Sequence, residues 1–542
     1  MALSREAYQA MEEVVGVDNI SDDPAILDSY AFQMNAELKW KGSKFGIRPE
    51  AAIVPGSTEE VQAIVKICNR YKIKAKAYST GWGTYSDLRS EGAVQLDMRR
   101  MNRILEIDEQ NMFAVVEPYV VCSQLQAEAM KVGLNCHMIG AGASCSALAV
   151  TTYGGPGPDT LFMGVGFENL LGLEWVMPTG DVLRTGSLGS GLGWFCGEGP
   201  GPSLRGLARG GTGLEGGLGI FTKCAIKLSP WPGPAVMPVE GTAPAYNSPL
   251  PENFSAYTLA FPSWQAYADA YYQIFDAEIG YIAHKQFPQW GNELQAAIVK
   301  IVTDPNKQMC DLEELLKTPE IQKMTSEMRY SFQLVLAGMT LRDIEYQEES
   351  LNEILAETRG WKVAKMSTPH MERWMLLYLI KLCFKGMNWI TGGGFSDTFS
   401  IVGTPDMIYG SGLTEMTAEL QRKKIITDKL VDHGGESGMS ALECLGLDAG
   451  ISGLEPFVFY DPHDVESSKA ALEALVEGDK FLKERGLRST DGSIAYNILP
   501  NGKEGKFSTR PDVYRWQRKI KEVFDPYGLS DGSYLYLEEP GE

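Results

Sequence analysis

A glycine-punctuated turn near the N-terminus contains the residues of this chain best suited to bind an anion. It runs Ala77-Tyr78-Ser79-Thr80-Gly81-Trp82-Gly83-Thr84-Tyr85 and follows a strand-like segment. Glycine adopts positive φ at no steric cost, so glycines at alternate positions allow several backbone N–H groups to point at one spot. The spacing therefore predicts a site for a phosphate or another anion.

Metal-based chemistry finds little support in the sequence. The nine cysteines and five histidines are scattered along the chain. No two cysteines form a Cys-x-x-Cys pair, and no histidines have the spacing of zinc ligands. We expect reduced, mostly buried thiols, no resident metal and no iron–sulfur cluster.

The charge of the chain limits its partners. A formal net charge of −21 over 542 residues disfavours nucleic acid and anionic membranes, because both would be repelled by most of the surface. The N-terminal residues lack the apolar core of a signal peptide, and the longest apolar run, Trp374–Ile380, is too short to span a bilayer. These features predict a cytoplasmic enzyme of two or three domains.

A strand–helix–strand unit leads into the glycine turn. Residues 52–54 form a short apolar run, and a capping box of Ser57 and Glu60 predicts a helix that ends near Tyr71. The buried face of this helix is predicted at Val61, Ile64, Val65 and Cys68. A second strand over residues 74–79 then places the turn at a strand's C-terminal end, where ligands collect in such folds.

The next segments predict a hairpin and a helix. Strands over residues 104–107 and 113–116 are separated by a polar turn. A second capping box, Ser123 and Gln126, predicts a helix that runs to about Lys131 and stops at Gly133.

Glycine density rises between residues 140 and 219, where the glycines alternate with long apolar stretches. The turn Pro178-Thr179-Gly180-Asp181 joins two of these stretches and predicts a hairpin. The apolar content argues against disorder, and the glycines are placed to let the backbone approach a large, flat ligand.

Five segments, taken in order, resemble the vanillyl-alcohol oxidase superfamily, which includes the FAD-linked subunit of glycolate oxidase, D-lactate dehydrogenases and 4-cresol dehydrogenase. They are residues 52–71, the turn Thr80–Thr84, the stretch from Thr151 to Gly180, residues 215–222, and the closing segment Trp516–Leu529. Together they span most of the chain. The resemblance implies FAD as the cofactor.

The resemblance also implies roles for particular residues. The backbone of Ser79, Thr80, Gly81, Trp82, Gly83 and Thr84 would hold the FAD diphosphate, and this turn contains no lysine. A second set would run along the flavin: Ser144, Thr151, Thr152, Gly154 and Gly155. Gly219 and Ile220 would pack near its ribityl and adenine parts.

The sequence departs from the family in three places. No histidine stands beside the Gly81 turn, where covalent members link FAD, so we expect noncovalent FAD; a link through a histidine or tyrosine of the cap stays open. The histidine cluster that binds a metal in hydroxy-acid dehydrogenases has no counterpart. Val165 stands where vanillyl-alcohol oxidase has its active-site acid.

The predicted fold class is α+β, with a two-subdomain PCMH-type FAD-binding domain and a cap domain. We expect the FAD-binding domain at residues 1–235, the cap at 236–490 and a C-terminal segment, 491–542, that returns to the FAD domain. In the cap, three apolar strands each precede a long helix: residues 257–261 before 263–277, 332–337 before 342–359, and 456–460 before 465–485. Gly360 and Gly486 stand at two of the helix ends. This order predicts an antiparallel sheet covered by helices.

Three residues are candidates for catalysis. Arg488 loosely resembles the Tyr-Arg segment with which cresol-type members stabilise a phenolate or carboxylate, although it also suits a surface position after a helix. His433 lies in a polar loop and is a candidate base or a plain turn residue, and Tyr153 adjoins the flavin-facing glycines. The Met- and aromatic-rich stretch around residues 374–390 suits a buried helix or a pocket wall.

Three functions follow from this interpretation. The first is an FAD-dependent dehydrogenase or oxidase acting on an alcohol, hydroxy acid or phenolic small molecule, with electrons passed to oxygen or to a protein partner. The second is a non-redox flavoenzyme resembling alkylglycerone-phosphate synthase. The third is a flavin-carrying subunit of a larger redox complex. We expect a homo-oligomer or a subunit of a complex in each case.

Overall fold

The structure is a computed structural model that describes residues 3–31, 45–81, 88–138, 144–153, 159–198, 203–209, 217–238, 251–285, 330–363, 400–403, 440–443, 455–460 and 511–532, with isolated positions between 306 and 323. These residues form helices and three main sheets, and the α+β prediction is confirmed. The boundaries predicted at residues 235 and 490 stay predictions.

The first sheet has four strands in the order β1-β2-β4-β3. The strands are β1 Ile20–Ser21, β2 Ala52–Ile53, β3 Ala75–Tyr78 and β4 Val94–Asp97. β1 is antiparallel to β2, whereas β2 and β3 both run parallel to β4, which lies between them. The helices of this part are α1 Arg5–Val15, α2 Pro24–Ala31 and α3 Thr58–Tyr71.

Helix α3 begins as the sequence predicts. The Ser57 side chain accepts a hydrogen bond from the backbone N–H of Glu60, and the Glu60 carboxylate accepts one from the N–H of Gly56, one residue before the cap. All four residues of the predicted stripe are buried: Val61, Ile64, Val65 and Cys68. They pack against the first sheet, so α3 is fixed by an amphipathic face as well as by its cap.

The second sheet has five antiparallel strands in the order β5-β6-β10-β8-β9. The strands of this part are β5 Ile104–Asp108, β6 Phe113–Val116, β7 Leu134–Asn135, β8 Leu170–Val176, β9 Val182–Arg184, β10 Ile220–Lys227 and β11 Ser229–Pro230, of which β7 and β11 pair separately. Its helices are α4 Cys122–Met130, α5 Ala147–Tyr153, α6 Thr160–Met163, α7 Gly186–Gly189 and α8 Arg205–Ala208. Both predicted hairpins, β5–β6 and β8–β9, are confirmed.

The capping box predicted at Ser123 and Gln126 is wrong. Helix α4 begins at Cys122 with Val121 as its N-cap. The N–H of Cys122 donates to the carbonyl oxygen of Cys145, so a contact distant in sequence fixes this end of the helix. The Gln126 side chain donates to Asn135 instead of to the helix start.

The third sheet has seven strands in the order β15-β12-β14-β13-β17-β18-β16, all in antiparallel pairs. The strands are β12 Phe254–Ala260, β13 Ile282–Lys285, β14 Ser331–Ala337, β15 Trp361–Lys362, β16 Ser400–Gly403, β17 Ser440–Glu443 and β18 Glu455–Tyr460. Helices α9 Trp264–Asp276 and α10 Leu341–Thr358 pack against it through a shared apolar core. The predicted antiparallel sheet with covering helices is confirmed; the third predicted helix, at 465–485, lies outside the described residues.

The end of α10 differs in detail from the prediction. The left-handed residue is Arg359, with φ of 56°, and Gly360 follows it and donates its N–H to Leu355. Gly360 is needed for another reason, because a Cβ there would lie 2.5 Å from Cε1 of Phe261. The predicted cap at Gly486 lies outside the described residues.

The closing helix is confirmed as α11, Pro511–Phe524. Ile520 and Phe524 pack against the core of the second sheet, and the chain then turns back towards the first sheet. In the described part of the chain, none of the helices combines the length and apolar character needed to cross a membrane.

Candidate flavin site

The predicted anion-binding turn lies at the carboxyl edge of the parallel strands. Tyr78, the last residue of β3, stands beside Asp97, the last residue of β4. The turn follows at once, and Gly81 has φ of 70°. A Cβ at Gly81 would overlap the hydroxyl of Tyr78, so both the backbone conformation and the available space require glycine.

A buried polar cluster supports this edge. Asp97 is fully buried and accepts hydrogen bonds from the Tyr30 hydroxyl at 2.8 Å and from Nε of Arg99 at 2.9 Å. The Tyr30 ring meets the Tyr78 ring edge-on, with centroids 5.1 Å apart. Burial, followed by the charge of Asp97, raises the pKa of Tyr30 above its usual value. The sequence signals this cluster only through an acidic residue at the end of an apolar strand, so it was not predicted.

Gly219 and Ile220 lie where the two sheets of the FAD-binding half meet. Gly219 has φ of 109°, and a Cβ there would overlap the carbonyl oxygen of Val176. Ile220 opens β10 and is buried in the core that also contains the first sheet. The structure therefore places this pair at the junction of the subdomains, as a ligand shared by both would require.

The second predicted set lies at helix α5. Ser144 is exposed before the helix begins, whereas Thr151 and Thr152 are buried within it. Their hydroxyls donate to the carbonyl oxygens of Ala147, at 2.8 Å, and Leu148, at 3.1 Å. These two hydroxyls are thus engaged by the helix itself. Tyr153 is the last residue of α5.

His137 and Asp159 form a buried pair in the second subdomain. Nδ1 of His137 is 2.7 Å from Oδ1 of Asp159, and both side chains are 2% exposed. The other carboxylate oxygen of Asp159 accepts the N–H of Met138 at 2.9 Å. The pair therefore joins the end of the described stretch 88–138 to the start of the stretch 159–198. Sequence reasoning missed it because Asp159 stands alone in a Gly/Pro-rich stretch.

The cap contacts this half of the molecule through Tyr281. Its hydroxyl accepts a hydrogen bond from Asn135 at 3.0 Å, and Asn135 in turn accepts one from Gln126 at 2.8 Å. The Tyr281 ring also packs on Phe162 of α6, with centroids 4.8 Å apart. A buried polar chain therefore connects the cap sheet to α4.

Several predicted site residues lie outside the described residues: Trp82, Gly83, Thr84, Gly154, Gly155, His433 and Arg488. Their roles stay predictions. Among the residues that the structure describes, no group of three His, Cys, Asp or Glu side chains could hold a metal ion.

The described residues fit FAD. A diphosphate is best held by N–H groups that converge from a glycine turn, and the Gly81 turn has the positive φ and the space-limited glycine of such a cradle. It stands at the edge of a parallel sheet where ligands bind in α/β folds. The second glycine with positive φ, Gly219, lies at the subdomain junction.

Residues 49–186 match the family model described as an FAD binding domain. An uncharacterized FAD-linked oxidoreductase of Mycobacterium tuberculosis is 31% identical over 42% of this chain and 46% of its own length. The 4-cresol dehydrogenase flavoprotein subunit of Pseudomonas putida is 33% identical over 43% and 44%, and a glycolate oxidase subunit of Bacillus subtilis is 28% identical over 42% and 46%. The chain thus spans somewhat less than half the length of these relatives.

Solved structures extend the likeness in fold to almost the whole chain. Substrate-bound p-cresol methylhydroxylase has a TM-score of 0.72 at 19% identity and covers 98% of this chain and 96% of its own. An alkyldihydroxyacetonephosphate synthase has a TM-score of 0.63 at 17% identity, over 98% and 86%. The chain therefore contains an FAD-binding domain and has the fold of these FAD-linked enzymes, and FAD is its cofactor.

Proposed function

We propose that this chain is an FAD-dependent oxidoreductase that oxidises an alcohol, a hydroxy acid or a phenolic small molecule by hydride transfer to flavin N5. The observation that carries the proposal is the Gly81 turn, which ends a strand of the parallel sheet inside the residues matched by the FAD-binding model. The relatives named as 4-cresol, glycolate and D-lactate enzymes support this range of substrates.

In this proposal the protein holds FAD through its backbone. N–H groups of residues 79–84 meet the diphosphate without a lysine in the turn, and the segment from Ser144 to Gly155 lies along the flavin. Gly219 and Ile220 approach the ribityl and adenine parts from the second sheet. The bound FAD supplies the electron acceptor for the substrate C–H bond, so the chain has to place that bond and manage the adjacent proton or charge.

Three residues are proposed for that second task. Tyr153 ends α5 next to the flavin-facing glycines, Arg488 is a candidate to stabilise an anionic oxygen, and His433 is a candidate base. Replacement of a true general base lowers the rate of flavin reduction by about 10²–10⁴-fold while FAD stays bound. Tyr153→Phe, Arg488→Lys and His433→Gln, each tested for both properties, would separate the three.

The proposed assembly follows from the chemistry and from one relative. Electrons leave to oxygen or to a separate protein, and the matching Pseudomonas putida protein is named as the flavoprotein subunit of its enzyme. We therefore expect noncovalent FAD in a homo-oligomer or in a subunit of a redox complex. The acidic composition favours a cytoplasmic location.

A non-redox function is the second candidate, because an alkyldihydroxyacetonephosphate synthase shares the fold over 98% of this chain. The sequence lacks an evident cluster of basic residues for its phosphate-bearing substrate, which favours the redox proposal. A third possibility is a subunit that relays electrons without oxidising a small molecule.

The cofactor site is tested with two glycine variants of equal backbone strain. Gly81 and Gly191 have φ of 70° and 74°, but a Cβ at Gly191 has open space around it. We expect Gly81→Val to lose FAD, whereas Gly191→Val keeps it. Retention of the wild-type flavin content in Gly81→Val would mean that the diphosphate lies elsewhere.

The reaction class is tested by anaerobic mixing of the purified protein with a panel of alcohols, 2-hydroxy acids and 4-alkylphenols. Bleaching of the flavin absorbance by one class supports the oxidoreductase, and reoxidation with and without oxygen then distinguishes an oxidase from a dehydrogenase. Reduction only by another protein would support the relay subunit. Product formation from an acylated glycerone phosphate without net flavin reduction would support the non-redox enzyme.

A further inference from the structure

The turn after the closing helix pairs with the strand that leads into the Gly81 turn. The N–H of Ala75 donates to the carbonyl oxygen of Leu529 at 3.0 Å, and the N–H of Asp531 donates to the carbonyl oxygen of Ala75 at 2.9 Å. Ala75 and Ser530 form a parallel bridge. Because Ala75 opens β3, this pairing sets the position of the chain just before residues 79–81.

Asp531 also holds the chain on the far side of the same turn. Its side chain accepts the backbone N–H of Arg89 at 2.7 Å, over a sequence separation of 442 residues, and Asp531 is 2% exposed. Arg89 lies just beyond the glycine turn, as Ala75 lies just before it. One residue of the C-terminal turn therefore binds both sides of the predicted diphosphate loop.

Lys521 ties the same turn to the second subdomain. Its ammonium group donates to the carbonyl oxygens of Gly217 at 2.5 Å and Ser530 at 2.7 Å, and to the carboxylate of Asp525 at 2.5 Å. The Ser530 hydroxyl accepts the N–H of Gly219 at 3.1 Å. Lys521 and Ser530 thus fix residues 217–219, which precede the buried start of β10.

Asp525 gives the turn its shape. Its side chain is fully buried and accepts the N–H of Leu529 at 3.0 Å and the N–H of Ser530 at 2.9 Å. The Lys521–Asp525 ion pair is therefore hydrogen-bonded to backbone groups of two separate segments, Gly217 and the turn at Leu529 and Ser530. A buried pair of this kind specifies one arrangement, because breaking it leaves a buried charge uncompensated.

From these contacts we infer that Lys521, Asp525, Ser530 and Asp531 form a clasp that positions both parts of the FAD site, the Gly81 turn and the Gly219 turn. The clasp residues are positioning residues, and the clasp acts through Ala75, Arg89 and Gly219 without a role in the redox step. The inference rests on the proposed placement of the FAD diphosphate at residues 79–84.

The first test is the affinity of the apo-protein for FAD, ADP and riboflavin. Asp531→Ala removes the acceptor for Arg89, and we expect the dissociation constants of FAD and ADP to rise about 10–100-fold, as for loss of a buried charged hydrogen bond. The dissociation constant of riboflavin, which has no diphosphate, should change less than threefold. Equal losses for ADP and riboflavin, or an FAD affinity within twofold of wild type, would overturn the clasp.

A milder variant and a matched control distinguish loss of the clasp from a general loss of stability. Ser530→Ala deletes one oxygen, the acceptor for Gly219, and should raise the FAD dissociation constant about 3–10-fold. Gln347→Ala deletes two hydrogen bonds in the cap, to Ala337 and Gly280, and should lower the melting temperature without changing FAD affinity. If Gln347→Ala weakens FAD binding as much as Ser530→Ala does, the effect is one of stability and the clasp is refuted.

The Gly81→Val variant separates this inference from the proposed site. Loss of FAD in Gly81→Val with normal affinity in Asp531→Ala and Ser530→Ala would leave the site in place and refute the clasp. Full FAD binding in Gly81→Val would refute the placement of the diphosphate, and the clasp with it.

Discussion

Replacement of Glu174 by glutamine should loosen the contact between the two subdomains that, in our proposal, flank the flavin. Glu174 lies on β8 and is 3% exposed. It accepts hydrogen bonds from Thr58 at 2.8 Å, Lys223 at 2.7 Å and Arg184 at 3.0 Å. Thr58 opens helix α3 of the first subdomain, whereas Lys223 and Arg184 belong to the sheet of the second, so one carboxylate connects the two.

The loss of stability in Glu174→Gln depends on the hydrogen bonds that the three partners lose and on the contacts with water that they regain. Hydrogen bonds to charged groups are worth about 1.5–3 kcal/mol, and loss of one member of a fully buried ion pair costs about 3–5 kcal/mol. The Lys223 and Arg184 side chains are 27% and 50% exposed and recover water, which reduces the cost. We expect Glu174→Gln to lower the free energy of unfolding by about 2–3 kcal/mol, or the melting temperature by about 4–12 °C for a domain of roughly 200 residues.

The effect should also depend on pH with a definite sign. Burial by itself raises the pKa of Glu174, but the hydrogen bonds from Lys223 and Thr58 outweigh it and leave the pKa below its usual value. A carboxylate with a lowered pKa stabilises the folded state above its unfolded pKa, and that stabilisation is lost as the pH falls through the folded value. The difference between wild type and Glu174→Gln should therefore stay constant from neutrality down to the ordinary glutamate pKa of 4.5, and shrink as the pH falls further towards the lower folded pKa.

Thermal melts followed by tryptophan fluorescence test this reasoning, because Trp175 adjoins Glu174 and is fully buried. Glu128→Gln is the matched control: its partner Lys131 is half exposed, and the change should cost less than about 0.5 kcal/mol. An equal effect of the two variants, or a Glu174→Gln difference that does not shrink below pH 4.5, would refute the role assigned to Glu174.

Three other expectations can be checked on the same protein. Alkylation of the native protein should modify Cys196 before the five buried cysteines of the described part, which are Cys68, Cys122, Cys136, Cys145 and Cys224. Burial makes these thiols inaccessible and raises their pKa values, to about 12 for Cys68 and Cys145. Rapid labelling of a buried thiol, detected by peptide mass spectrometry, would contradict this expectation. Burial and Asp97 raise the pKa of Tyr30, so its contribution to stability is complete below the ordinary tyrosine value of 10.0 and is lost as the pH rises through the folded value. Tyr30→Phe should flatten that alkaline loss in melting curves, and an unchanged slope would exclude Tyr30 as its source. Gly360→Ala should cost about 1–3 kcal/mol through overlap with Phe261, whereas Gly206→Ala, with open space around it, should cost nothing; similar melting temperatures would show that the overlap relaxes.

Local features of the fold were predictable where neighbouring residues determine them. The Ser57 cap, the buried stripe of α3 and the Pro178–Asp181 hairpin follow from spacing within a few residues, and the structure has all three. The capping box at Ser123 failed because the start of α4 is fixed by Cys145 and its Gln126 is drawn to Asn135. In such cases a contact from elsewhere in the chain overrides a sound local pattern.

The same distinction limits what the sequence could say about the site. Gly81 was predictable, because a positive φ demands glycine and the residue stands in the turn that it shapes. Asp159 and Asp531 were not, since each is a lone acidic residue whose partner is fixed only by the folded chain: His137 lies 22 residues away and Arg89 lies 442. Neither residue belongs to a local motif that would have revealed it.

Backbone groups and side chains contribute differently to the substrate specificity of this chain. The groups that we propose hold FAD are backbone N–H groups and glycines, whose chemistry is the same in any chain with this fold, so they select the cofactor but not the substrate. The cap meets the FAD-binding half at the Tyr281–Asn135–Gln126 chain and at Phe162. We therefore propose that selection among alcohols, hydroxy acids and phenols arises from side chains of the cap and of the end of α5, which makes Tyr153, the last residue of α5, the first of the three candidate residues to substitute.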